Sequence, residues 1–113
     1  MKKYQFTFYE KGCKKIFKTY KHQEKTIKDN IIQQVSNLVN NDFNRIKPAS
    51  KRRINNFPLY ECRVNLPKIP DIRNAFFINQ DKINVIYITN NITKADFTAE
   101  IEKFIDTHSN IKF

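Results

Sequence analysis

Two arginines, Arg63 and Arg73, each stand inside an apolar run of the segment FPLYECRVNLPKIPDIRNAFFI, residues 57–78. A strand of a protein core seldom contains an arginine unless one face of its sheet serves another purpose. A guanidinium group binds phosphate through paired N–H donors and stays charged at physiological pH. If both side chains emerge on one open face, we expect them to form a shallow cationic surface for a phosphodiester.

The strand pattern decides where each arginine points. Residues 59–64 and 72–79 both read as strands, and neighbouring residues of a strand face opposite sides. The bend NLPKIPD separates the two strands and hides their register. The sequence therefore leaves open whether Arg63 and Arg73 share a face.

Each arginine also has a structural interpretation. Arg63 could form a salt bridge with Glu61 or with another surface acid. Arg73 could support the fold through a contact with Asp71 or with a backbone carbonyl. These alternatives stand beside the phosphate-binding hypothesis.

The charge of the chain is the strongest global signal. The net charge is +10, and residues 1–73 hold 17 Lys/Arg against 6 Asp/Glu, whereas residues 74–113 hold 4 against 5. Segregated positive charge favours a phosphate-rich partner, because neutralising phosphates releases condensed counterions. Two alternatives remain: a basic surface produced by the codon usage of an AT-rich genome, and a surface for an acidic protein partner.

Length and composition limit the class of protein. A chain of 113 residues with ten Phe and five Tyr suits a single domain, residues 1–113, with one core. Its apolar runs are too short to cross a bilayer, and its N-terminus lacks the apolar stretch of a secretory signal. Cys13 and Cys62 have no metal-ligand spacing and read as idle thiols of a reducing cytoplasm. We expect a cytoplasmic protein without membrane contact, metal or cofactor.

The periodicities predict the elements that position these residues. Alternation predicts a strand over residues 4–9, and apolar stripes predict helices over 11–21 and 24–41. Strands follow at 59–64, 72–79 and 83–89, and Thr93, with Asp96 as a capping-box-like partner, begins a closing helix. The predicted class is α+β, with the order β-α-α-β-β-β-α and the helices on one face of a small, mostly antiparallel sheet. Residues 42–57 read as a basic connector in which Pro48 prevents a helix.

The second half of the chain resembles a known family. The stretch PLYECRV, followed after a spacer by IRNAFFINQDKINVIYITNNITKADFTAEIEKFI, is similar to the RelE/ParE superfamily of bacterial toxins over residues 57–105. Upstream, only the layout of one strand and two basic helices agrees. Members of the RelE branch cleave mRNA in the ribosomal A site, whereas ParE members act on DNA gyrase and cleave no RNA. A cognate antitoxin inhibits the toxins of both branches.

The resemblance implies roles for particular residues. Arg63 matches the arginine of the family's Leu-Arg pair, and Arg73 matches that of its Tyr-Arg pair, with Ile72 in place of the tyrosine. Arg63, Arg73 and Lys94 are therefore the expected catalytic residues, since guanidinium groups stabilise the charge that builds on a phosphate during attack by the 2′-hydroxyl. The expected nucleic-acid-binding residues are Arg45, Lys47, Lys51, Arg52, Arg53 and Lys68.

The residues available for proton transfer depart from the family pattern. Phe97 stands about where a tyrosine would serve and has no hydroxyl. Lys94 could act as a cation or an acid, or could be a solvated first-turn lysine, and Asp96 fits a helix cap better than a base. His22 and His108 fall outside the expected histidine position and read as surface residues. The lysines of the first two helices could form a rim for rRNA or a solvated face.

The resemblance thus implies a metal-independent endoribonuclease toxin that cleaves mRNA, with the ribosome and its rRNA as partners and a cognate antitoxin as inhibitor. The alternatives are a ParE-like gyrase inhibitor and a non-toxic nucleic-acid-binding member of the family. If the arginines project from the sheet, replacing either by alanine should abolish toxicity and leave thermal stability nearly unchanged.

Overall fold

The elements of the chain follow its hydrophobic periodicity. The computed structural model describes residues 2–108. Across that range, no helix has the length and apolar character that a membrane-spanning segment needs. The elements, which two short 3₁₀ turns interrupt, are β1 (Gln5–Phe8), α1 (Glu10–Thr19), α2 (Glu24–Asn41), β2 (Lys47–Ile54), β3 (Phe57–Val64), β4 (Ile72–Asn79), β5 (Lys82–Thr89) and α3 (Lys94–Thr107).

Within residues 2–108 the strands form one five-stranded mixed sheet in the order β1-β5-β4-β3-β2. Strands β2 to β5 pair antiparallel with their neighbours, and β1 alone pairs parallel, alongside β5. The chain can place β1 beside β5 because the two helices that follow β1 carry it away before the antiparallel strands begin. The α+β class and the mostly antiparallel sheet are confirmed.

Strand β2 corrects the expected connector at 42–57. The sheet carries this additional strand on its edge, where Pro48 costs no ladder hydrogen bond if its missing N–H faces away from β3. A tight turn at Asn55 and Asn56, with φ of 50° and 69°, joins β2 to β3. Asparagine tolerates this left-handed backbone, which two-residue hairpin turns require. The Asn-Asn pair was the available signal, and the surrounding basic residues obscured it.

The helices lie on both faces of the sheet, so the prediction of a single helical face is wrong. Helices α1 and α2 bury Cys13, Ile16, Ile27, Ile31 and Val35 against Val64, Ile72, Phe76 and Val85. Helix α3 buries Phe97, Ile101, Phe104 and Ile105 on the other side, against Leu59, Ala75, Phe77 and Ile86. The physical reason lies in β4 and β5, whose runs AFF and VI are apolar on consecutive residues and therefore need cover on both faces.

The β4–β5 turn stores a small amount of backbone strain. Gln80 has a φ of 58°, in the left-handed region that favours glycine, and the side chain is exposed. We expect Gln80→Gly to stabilise the protein by about 0.5–1 kcal/mol, because relief of the strain outweighs the added entropy of the unfolded chain. Urea denaturation would measure the gain. The matched control is Asp81→Gly at the next turn position, which lacks a positive φ and should lose stability; equal effects at both positions would contradict the explanation.

Candidate functional site

The strand register brings the two arginines together. Arg63 of β3 and Arg73 of β4 are direct cross-strand partners, so their side chains leave the same face of the sheet. This is the face on which α3 packs. The register that the sequence could not supply therefore places both side chains on one face as cross-strand neighbours.

Arg63 lies at the surface and is paired with an acid. Its side chain is 49% exposed, and its Nη2 and Nε atoms donate to Asp71 Oδ2 at 2.9 and 3.2 Å. The structure thus shows a salt bridge to a surface acid, with Asp71 rather than Glu61 as the partner. Exposed ion pairs contribute roughly 0–1 kcal/mol. A phosphate can therefore compete with Asp71 for this guanidinium group.

Arg73 is held far more firmly. Its side chain is 15% exposed; Nη1 donates to Glu61 Oε1 at 2.9 Å, and Nε donates to the Ile92 carbonyl oxygen at 2.6 Å. The carbonyl contact expected from the sequence is present, whereas Asp71 pairs with Arg63 instead. Arg73 therefore ties β4 to β3 and to the segment that leads into α3, and its geometry is fixed before any ligand binds.

Glu61 is the residue that sequence reasoning undervalued. Its side chain is 3% exposed, and Oε1 accepts from Arg73 and, at 3.4 Å, from Lys94 at the start of α3. Oε2 is buried and has no hydrogen-bond partner among the described residues. The available signal was an acid between Leu59 and Cys62 in an apolar strand, since a buried carboxylate requires a cation.

These side chains line one cavity of about 300 Å³. Its cations come from four segments: Arg45 and Lys47 before and at the start of β2, Arg63 and Arg73 from the strands, and Lys94 from α3. Its other lining residues are Glu61, Leu38, Ile46 and Cys62. Five cations against one carboxylate give a formal charge of +4, which suits a phosphate group and not an apolar ligand.

The other predicted nucleic-acid-binding residues do not line this cavity. Arg52 pairs with Asp106 and donates to the Glu102 carbonyl oxygen at 3.4 Å, and Arg53 donates to the Asn56 carbonyl oxygen at 3.0 Å. Lys51 is exposed on β2, and Lys68 is exposed in the β3–β4 loop. Their contact with nucleic acid stays a prediction.

The residues considered for proton transfer lie elsewhere. Phe97 of α3 is fully buried against the sheet, so the position expected for a catalytic tyrosine belongs to the core. Thr93 is the N-cap of α3 but makes no side-chain capping hydrogen bond, so the expected capping box with Asp96 is wrong. His22 lies in the turn between α1 and α2, and His108 stacks on Phe104 with ring centroids 4.3 Å apart. Neither histidine lines the cationic cavity.

The thiols are poor nucleophiles. Burial raises the pKa of Cys62 from 9.0 to about 11, and the adjacent Glu61 carboxylate adds to this rise; burial raises the pKa of Cys13 to about 12. Within residues 2–108, no three His, Cys, Asp or Glu side chains cluster as a metal site requires.

At pH 8 the thiolate fraction of Cys62 should be about a hundredfold lower in the folded chain than in the unfolded one, because its pKa differs by two units. We therefore expect iodoacetamide to alkylate the native protein at least about a hundredfold more slowly than the protein in urea. Mass spectrometry at timed intervals measures both rates. Rapid alkylation of the native protein at Cys62 would show that the cavity wall is open or the thiol activated.

Comparisons of the chain with protein families, with curated proteins and with solved structures found no match. The interpretation of the cavity therefore depends on its own residues and their chemistry.

Proposed function

We propose that the cationic cavity binds the RNA backbone and that the protein is an endoribonuclease toxin of the RelE type, which cleaves mRNA without a metal ion. The observation that carries the proposal is the convergence of Arg45, Lys47, Arg63, Arg73 and Lys94 on one cavity from separate segments of the chain. Cations that converge on one cavity are better evidence for a specific anionic ligand than cations dispersed over a surface.

The cations of the cavity differ in exposure and therefore in the role that each can have. Arg63 and Lys94, with side chains 49% and 48% exposed, can turn toward a phosphate and hold it. Arg73, fixed by Glu61 and the Ile92 carbonyl, supplies a rigid positive charge. Attack of a 2′-hydroxyl on the adjacent phosphorus adds negative charge to the phosphate oxygens, and a preorganised guanidinium group stabilises that charge.

The remaining parts of the proposal come from the resemblance over residues 57–105. A cognate antitoxin would cover the basic surface with acidic residues, and the ribosome would present the mRNA in the cytoplasm. The basic surface of α1 and of the turn that follows it, which includes Lys14, Lys18 and Lys21, suits contact with rRNA.

A second function, a ParE-like toxin that inhibits DNA gyrase, is favoured by one observation. The residues that line the cavity include neither tyrosine nor histidine within the described part of the chain, and Phe97 is committed to the core. A non-toxic nucleic-acid-binding protein would fit the same finding.

The deciding experiment expresses the chain alone in growing bacteria and maps mRNA 5′ ends. We expect growth arrest with codon-phased cuts inside translated regions. The variant Arg63→Gln/Lys94→Gln should abolish both, whereas Lys82→Gln/Lys103→Gln, which removes the same charge from exposed sites outside the cavity, should retain them. Arrest with DNA-damage signalling and intact mRNA would support the gyrase inhibitor; no arrest would leave the non-toxic binding protein.

A further inference from the structure

The carboxylate of Glu61 has an unbalanced set of hydrogen bonds. Oε1 accepts from both Arg73 and Lys94, whereas Oε2 accepts from none of the described residues, although the side chain is only 3% exposed. A carboxylate can accept about four hydrogen bonds, and a buried oxygen without a donor is costly. Within residues 2–108, Glu61 is the one carboxylate residue that lines the cavity, and the other charged lining residues are all donors.

A phosphate in the cavity would make this imbalance worse. The phosphate competes with Glu61 for the same donors, above all for the half-exposed ammonium group of Lys94. As Lys94 turns to the phosphate, Oε1 loses one donor while Oε2 still has none. The carboxylate then needs a donor from the ligand, and a phosphate oxygen cannot supply it at neutral pH.

A ribose hydroxyl supplies that donor. The 2′-hydroxyl lies next to the 3′-phosphate in RNA, donates one hydrogen bond, and is the group that lets a protein distinguish RNA from DNA. Deoxyribose has no such donor and would leave the buried carboxylate underpaired. We infer that Glu61 makes the cavity selective for RNA over DNA by accepting a hydrogen bond from the 2′-hydroxyl beside the bound phosphate; this inference depends on the proposed RNA ligand.

A merely structural role for Glu61 makes a different prediction. If Glu61 only anchors Arg73, its replacement weakens the binding of RNA and DNA together and leaves their ratio unchanged. If Glu61 reads the 2′-hydroxyl, its replacement changes the ratio. Loss of the negative charge of Glu61 should also strengthen DNA binding. The carboxylate repels a bound phosphate, and deoxyribose has no 2′-hydroxyl to offset that repulsion.

The test measures equilibrium binding by fluorescence anisotropy with three labelled single strands of one sequence: RNA, DNA and 2′-fluoro RNA. The 2′-fluoro strand keeps a ribose-like ring but has no 2′ donor. We expect wild-type protein to bind RNA about tenfold or more tightly than either of the other strands. A gel at the end of each titration verifies that the RNA is intact, and EDTA excludes metal-dependent contaminants.

Two variants and one control complete the test. In Glu61→Leu the preference for RNA should fall to within about threefold, with Glu61→Gln intermediate, because glutamine keeps an acceptor without the charge. Glu24→Gln removes the same charge from the exposed surface of α2 and should retain the full preference. Circular dichroism verifies that each variant is folded. The comparison of RNA, DNA and 2′-fluoro RNA on wild-type protein tests the inference even if a variant fails to fold.

The outcomes separate this inference from the proposed function. If wild-type protein binds RNA and 2′-fluoro RNA equally, or if a folded Glu61→Leu protein keeps the full RNA preference, the inference is overturned even if the protein cleaves RNA. If the RNA preference is present and depends on Glu61 but no mRNA cleavage occurs, the inference stands and the nuclease proposal fails. If no strand binds, both fail.

Discussion

Replacing Arg73 by alanine is expected to abolish RNA cleavage and to destabilise the fold by about 3–5 kcal/mol. The stability loss follows because Glu61 is 97% buried, as its 3% exposure shows, and would lose its closer donor. Arg63→Ala should also abolish cleavage but cost only about 0–1 kcal/mol, since its partnership with Asp71 is exposed. The expectation that both substitutions leave thermal stability unchanged therefore applies to Arg63 alone. Urea denaturation of both variants measures the difference.

A double variant identifies the cause of the Arg73 effect. Arg73→Ala/Glu61→Leu contains no buried carboxylate and should recover roughly 2 kcal/mol of the stability lost in the single variant. If Arg73→Ala alone unfolds at the wild-type urea concentration, the Glu61–Arg73 pair contributes nothing to stability, and the ion pair of Arg73 is as weak as that of Arg63.

Gly12→Ala is expected to destabilise the protein by about 3 kcal/mol or more, which exceeds the usual cost of an overpacking substitution in a core. Gly12 is the sole glycine of the chain, and it lies where α1 touches the backbone of β5. A Cβ atom there would stand 1.7 Å from the Ile86 carbonyl oxygen and 3.1 Å from Phe104 Cζ. The strand backbone cannot yield, so the helix would have to move away from the sheet.

The matched control for this effect is Lys14→Ala, on the exposed side of the same helix, which should change stability by about 0.5 kcal/mol or less. Thermal denaturation followed by circular dichroism measures both variants. A Gly12→Ala protein that melts within a few degrees of wild type would show that α1 does not pack on Ile86 as closely as described.

Much of the fold could be predicted from periodicity, because strands and helices bury residues at different spacings. The alternation in residues 4–9 and the stripe containing Ile27, Ile31 and Val35 correspond to β1 and α2. Strand β2 could not be found in this way, because its edge position lets lysine and arginine occupy half of its eight positions. The side on which α3 packs also escaped prediction, although the two-sided burial of Ala75, Phe76 and Phe77 explains it.

The candidate site was predictable in composition but not in its internal pairing. Residue types and the family resemblance indicated Arg63, Arg73 and Lys94, and the structure brings all three to one cavity. The direct pairing of Arg63 with Arg73 depends on a register set by the bend at 65–71, which no local pattern encodes. Glu61 went unrecognised as the centre of the site because its importance comes from Arg73 and Lys94, 12 and 33 residues away in sequence.

The most direct test of the central claim, that the cavity holds RNA phosphate, is the salt dependence of single-stranded RNA binding. Each phosphate neutralised contributes about 0.7 to the slope of log affinity against log salt concentration. Arg63→Gln/Lys94→Gln should therefore reduce the magnitude of that slope by about 1.4, whereas Lys82→Gln/Lys103→Gln should leave it at the wild-type value. An unchanged slope in the Arg63→Gln/Lys94→Gln protein would contradict the account, because it would place the RNA outside the cavity.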